Sequence, residues 1–180
     1  MLLLFALVGG MGCGGPVAHL QSVRAARAAL VPVAAVELRP LVDRRADESI
    51  GHGANEVTRL EYTAVGDGPV APWVESYVRS EFVAGGLGGA ARGGSLPEAT
   101  LAVTMVQFEL TERTWIRGVA VFDVALTLAD GTRATDRLTI VTTGLATDDG
   151  DAEWTQAAAK LASWSAHQIA AWTRARVLSG

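Results

Sequence analysis

A single cysteine, Cys13, stands in the 180-residue chain, so no disulfide can close within it. Lysine is as scarce: of 15 basic side chains only Lys160 is a lysine, and the formal net charge is −4. That balance, without a polybasic run, excludes the usual electrostatic footprint of a nucleic-acid or anionic-lipid binder. Long apolar runs are missing near the start. Met1 to Val8 is apolar, yet even continued to Gly12 it falls short of the roughly 20 residues that a membrane-crossing helix needs. Catalytic patterns are missing too. No G-x-S-x-G occurs, and His19, His52 and His167 are too scattered for a metal-ligand set. The glycine-rich AGGLGGAARGGS lacks the Lys-Ser/Thr pair that ends a Walker motif. The expectation is a protein that is not an enzyme, with no metal and no cofactor.

What is there begins with the opening itself, MLLLFALVGGMGCGG. Its apolar stretch suits the h-region of a secretory signal, about 7–15 residues followed by small side chains, and Gly9, Gly10 and Gly12 supply those. The basic n-region is missing, the first arginine being Arg24. Val8-Gly9-Gly10-Met11-Gly12-Cys13 resembles the lipobox of bacterial lipoprotein precursors: Gly12 and Cys13 match, while Gly10 and Met11 stand where Leu and Ala/Ser are common. The resemblance implies that residues 1–12 are a signal peptide cleaved before Cys13. The Cys13 sulfur then carries a diacylglycerol, and its new amino group an acyl chain such as palmitate. Each buried CH2 contributes about 0.8 kcal/mol, and two or more chains hold a protein stably on a membrane. Gly14 is not the Asp that retains enteric lipoproteins in the inner membrane, so the resemblance favours the outer membrane, facing the periplasm. Residues 13–32 are read as the lipidated cysteine and a flexible tether, with a short helix over 20–30 as a local feature.

Residues 33–178 read as one domain. Ala34, Val36, Leu38 and Val42 alternate with Glu37, Arg39 and Asp43, a strand pattern that Pro40 confines to an edge or a strand end. The polar stretch 44–55 reads as a loop, and 57–64 as a short second strand. After Gly66-Asp-Gly-Pro69, the residues Trp73, Val74, Tyr77, Val78 and Phe82 predict one apolar helix face, stopping at Gly85-Gly86. Alternation then predicts three strands over 101–110, 116–129 and 132–143, with Val106, Phe108 and Leu110 on one face of the first. Asp130-Gly131 joins the last two as a two-residue hairpin turn. A long helix over 152–177 places Trp154, Leu161, Trp164 and Trp172 near one stripe, read as core ahead of the alternative that its tryptophans line a groove for acyl chains. The fold class is α+β: an antiparallel sheet of four or five strands with two helices packed on one face, in the order β(β)αβββα.

The densest charge cluster is Asp43-Arg44-Arg45 with Asp47-Glu48. It reads either as a solvated corner whose aspartates cap local backbone or as a recognition surface for a protein partner. Leu41-Val-Asp43-Arg-Arg45 followed by Ile50-Gly51, with a helix, the meander and a long C-terminal helix after it, resembles the YajG-like family of bacterial outer-membrane lipoproteins. The resemblance spans about residues 33–178. It implies a small α/β domain without known enzymatic activity, held on the periplasmic face of an envelope membrane. Cys13, the domain pattern and the lack of a catalytic motif add the expectation that the domain binds an envelope protein partner. The order of elements is also similar to the auxiliary lipoproteins of lipid-transporting ABC systems, which implies the alternative of a lipid-binding or lipid-passing role.

Overall fold

The computed structural model describes residues 15–21, 31–54, 61–88, 98–113, 115–145 and 150–179. Cys13, the expected signal peptide, and most of both the expected short helix and the glycine-rich run lie outside the described residues. The described elements are β1 (Val17–Ala18), β2 (Ala35–Leu38), β3 (Val42–Asp43), β4 (Gly51–Ala54), β5 (Glu61–Gly66), α1 (Val70–Ala84), β6 (Glu98–Glu112), β7 (Trp115–Leu128), β8 (Arg133–Leu145) and α2 (Asp151–Ser179).

Strands β6, β7 and β8 form the antiparallel meander that the alternation predicts. Ile116, Gly118, Ala120, Phe122, Val124 and Leu126 of β7 point to the helices and are buried, while the residues between them stay partly or fully exposed. In β6 the phase changes midway. Leu101, Val103 and Met105 are buried and so are Phe108 and Leu110, because the ladder to β7 slips between Met105 and Gln107. The slip inserts one unpaired residue, so Val106 leaves the apolar face that simple alternation gives it. The turn between β7 and β8 is also wider than two residues. Gly131 N–H donates to Leu128 O and Leu128 N–H donates to Thr132 O, both at 2.9 Å, with Gly131 at φ +85°. This is a type I turn closed by a left-handed glycine, the common three-residue hairpin loop.

The sheet itself departs from expectation: it is mixed, and it has eight strands instead of four or five. The free edge of β6 is lined end to end by three short pieces. All run parallel to it: β2 against Glu98–Leu101, β3 against Thr104–Met105 and β4 against Leu110–Thr111. Pro40 separates the first two, having no N–H for the ladder. The stretch 44–55, expected as a loop, contains β4. Its sequence, Gly-His-Gly-Ala, has no apolar alternation to betray a strand. Glycine is needed at position 51 for room, since an added Cβ would run into the Leu110 carbonyl and stand 2.7 Å from the Trp154 ring. Strand β5 returns antiparallel to β4, and β1, from the stretch read as tether, pairs parallel with β5. Asp151 accepts Val17 N–H at 2.8 Å and Thr155 accepts His19 N–H at 2.9 Å, which ties β1 to the start of α2.

Both helices cover one face, as expected. Trp73, Val74, Val78 and Phe82 of α1 are buried, and Trp73 meets Phe108 of β6 edge-on at 6.1 Å. The helix ends where Gly86 takes φ +74° and Leu87 N–H returns to Phe82 O at 2.8 Å. Helix α2 lies on the sheet through small side chains, with Ala158, Ala162 and Ala166 fully buried beside Leu161 and Ile169. The aromatic stripe expected as core divides: Trp154 is buried, Trp164 is 52% exposed, and half-buried Trp172 donates its Nε1–H to Asp136 at 3.1 Å. Trp164 stands ten residues from Trp154, which at 100° per residue carries it about 80° away from the first side chain's direction. No described helix is long and apolar enough to cross a membrane.

Candidate functional site

Asp43, Arg44 and Arg45 continue the strand direction of β3, with Arg44 N–H donating to Met105 O at 2.8 Å. Successive side chains in extended backbone point to opposite faces. The tripeptide is therefore split between two sides of the sheet.

Asp43 and Arg45 turn toward the helix layer. Arg45 Nε lies 3.0 Å from Asp43 Oδ1, its Nη2 lies 2.9 Å from Oδ2, and its Nη1 donates to Ser49 O at 2.8 Å. The Arg45 side chain is only 8% exposed, so its fork holds the bend between β3 and β4 from inside. Asp47 closes the same bend by accepting Ser49 N–H at 2.7 Å. Burial pushes the Asp43 carboxyl up, but the hydrogen bonds and charge of Arg45 outweigh it and hold the group below the ordinary aspartate value. Beside this bend, a hollow of about 650 Å3 opens toward the start of α1. Its rim carries Asp47, Glu48 and Asp67 with the engaged Asp43–Arg45 pair.

Arg44 emerges on the opposite face, which no described element covers. There it joins Thr104, Ala102, Asp123, Ala125, Arg133, Thr135 and Arg137 around a hollow of about 490 Å3. Arg137 grips Asp123 with Nε at 2.6 Å and Nη2 at 2.8 Å. Those bonds, with the charges of Arg137 and Arg44, hold Asp123 below its usual range against a smaller opposing effect of desolvation. Arg133, at the same rim, makes no hydrogen bond or ion pair among the described residues. Further along this face Val119 pairs with Val141, and Val121 pairs with Thr139 on one side and Gln107 on the other. Val141 is 51% exposed. A second polar chain follows, in which Gln107 donates to Glu109 at 2.8 Å and His52 Nε2 lies 3.3 Å from Glu109 Oε1. Sequence reading placed the tripeptide but missed this face, whose residues come from four strands. Their outward positions in the alternation were the available signal.

Each of the three histidines sits beside one carboxylate, His19 near Asp67, His52 near Glu109 and His167 near Glu81, and all three are exposed. Among the described residues no group of three His, Cys, Asp or Glu side chains is placed to hold a metal ion. Between α2 and the sheet, Leu161, Ala162 and Ala166 are fully buried.

No family model matches the chain, and no curated protein matches it in sequence. Solved structures do resemble it. A protein from Xanthomonas campestris assigned to DUF330 superposes with a TM-score of 0.57 at 18% identity, over 87% of this chain and 93% of its own. An uncharacterized protein superposes at 0.53 and 12% identity, over 87% and 97%. What these share with the chain is the fold. A minor lipoprotein from Acinetobacter baumannii overlaps less, with a TM-score of 0.37 at 13% identity over 59% of this chain and 84% of that one, and that overlap carries no inference.

Proposed function

We propose that the protein is a non-enzymatic lipoprotein of the bacterial cell envelope. Lipid on Cys13 holds it at the outer membrane, and its α+β domain binds an envelope protein in the periplasm. The anchor rests on the lipobox-like Gly12-Cys13 pair, and the YajG-like affinity on the residues around Asp43 and Ile50. The observation that carries the binding role is the uneven coverage of the sheet. One side is sealed by two helices, while the other presents Arg44, Arg133 and Val141 with nothing over them among the described residues. A surface that combines apolar and arginine side chains is what protein interfaces use. Intact mass of the membrane-extracted protein, with Cys13→Ala as control, tests the anchor. A mature chain beginning at Cys13, heavier by a diacylglyceryl group and one acyl chain, is the expected result. A soluble, unmodified chain retaining Met1 would overturn it. Crosslinking in intact membranes tests the role, and should return one reproducible envelope partner instead of bulk membrane protein.

A further inference from the structure

Granted the protein partner inferred above, on which this step rests, we propose that the hollow framed by Arg44, Arg133 and Arg137 receives clustered Asp or Glu side chains of that partner. The chain as a whole is acidic, at −4, yet three guanidinium groups line this hollow against two carboxylates, Asp123 and Asp136, the second of which accepts the Trp172 Nε1–H at 3.1 Å. Arg137 is held in place by Asp123, so its position is fixed before anything binds. Arg44 is aimed into the same region by the strand direction of β3, and Arg133 has its charge to spare. The floor is Ala102, Ala125, Thr104 and Thr135, side chains small enough to let an incoming carboxylate reach the guanidinium forks. Arginine matches a carboxylate with two parallel N–H donors, giving direction as well as charge. Beside the hollow lies the Val119, Val121 and Val141 patch. An apolar centre with a charged rim suits a folded protein surface. Asp123 and Glu109 on the same face would repel a uniformly anionic bilayer, whereas discrete acidic side chains can be placed between them.

The test uses the full-length lipidated protein in its own membranes, with a photoreactive amino acid at Thr135 in the hollow or at exposed Ser163 on α2. The expected result is a peptide adduct from Thr135 that maps to a partner segment where Asp or Glu cluster. Its yield should fall about tenfold or more in Arg44→Glu with Arg133→Glu. It should survive in part in Arg44→Lys with Arg133→Lys, and return when the partner's acidic residues are changed to Arg. Urea midpoints of the purified variants report that they remain folded, and Arg44→Gln with Arg133→Gln replaces the reversal if they do not. A Thr135 adduct indifferent to the charge changes, or an adduct to phospholipid, overturns the acidic-partner inference. Adducts from Ser163 alone keep a protein partner and overturn this face as its dock. No peptide adduct from either position overturns the partner reading itself.

Discussion

Arg45 closes on Asp43 from two residues away, with Nε 3.0 Å from Oδ1 and Nη2 2.9 Å from Oδ2, while Arg44 between them leaves by the opposite face of the sheet. One short run of charge thus does two separate jobs. Arg45 is inside the fold, and Arg44 lies on the face that no described element covers.

That division predicts opposite outcomes for neighbouring substitutions. Arg45→Ala removes the guanidinium from Asp43, whose Oδ1 keeps the backbone N–H of residue 45 at 3.0 Å, and leaves the Ser49 carbonyl without its donor, so it should destabilise the protein by about 1–3 kcal/mol. Arg44→Ala, on an exposed side chain, should stay within about 0.5 kcal/mol of the parent. Arg45→Lys should recover little, because an ammonium cannot span both Asp43 oxygens and Ser49 O in one plane. Urea midpoints of the three variants decide the matter, and equal losses at 44 and 45 would refute the split.

The same pair sets a pH dependence. Asp43 is held below the ordinary 3.8 in the folded protein. A group whose folded value is depressed lends stability that is fully present above its unfolded value and is lost as pH falls through the folded one. The stability gap between the parent and Asp43→Asn should therefore be widest near neutrality and narrow below about pH 4. Denaturant titrations at stepwise lower pH measure it. A gap that widens on acidification would mean that Asp43 does not draw its stability from the ionised contact with Arg45.

Much of this architecture is written in the sequence where periodicity is long. The meander and both helices follow from apolar spacing in β6, β7, α1 and α2, and their bounds fall within a few residues of expectation. The parallel edge is a different matter. β3 has two residues and β4 is Gly-His-Gly-Ala, so neither holds enough alternation to stand out, and what fixes them is the backbone of β6 alongside. The bulge at Val106 is hidden for a related reason, since only the partner strand shows which residue has lost its pair. In the candidate site the charges were visible as a cluster, but the face that divides them depends on β3 having paired with β6. Arg133 and Asp123, far off in sequence, join Arg44 only once that sheet exists.

Two glycines in the sheet test how closely it is packed. An added Cβ at Gly118 would stand 2.6 Å from Thr142 Oγ1 and 3.1 Å from Leu161 Cδ2, both side-chain atoms able to shift. At Gly51 the obstacle is the Leu110 carbonyl, part of the β6 backbone. Gly118→Ala should cost about 1–3 kcal/mol, the usual range for overpacking. Gly51→Ala should cost more and should also disturb the β4–β6 pairing, visible as faster amide exchange at Leu110, whose N–H donates to Ile50 O at 2.8 Å. Equal effects at the two sites would argue against the close approach of β4 to β6.

The tryptophans of α2 distinguish core from surface along one helix. Trp154 is 1% exposed and meets Tyr62 edge-on at 6.1 Å, whereas Trp164 is 52% exposed. Trp154→Ala should cost about 3–5 kcal/mol, and Trp164→Ala should change stability by no more than about 0.5 kcal/mol. Acrylamide should quench the parent's emission in two populations, and Trp164→Phe should reduce the accessible one, which then rests chiefly on Trp115 at 54% exposure, while leaving the protected one in place. If Trp164→Ala proved as damaging as Trp154→Ala, the exposed side of α2 would have to be packed against something, and the helix would be seated differently on the sheet.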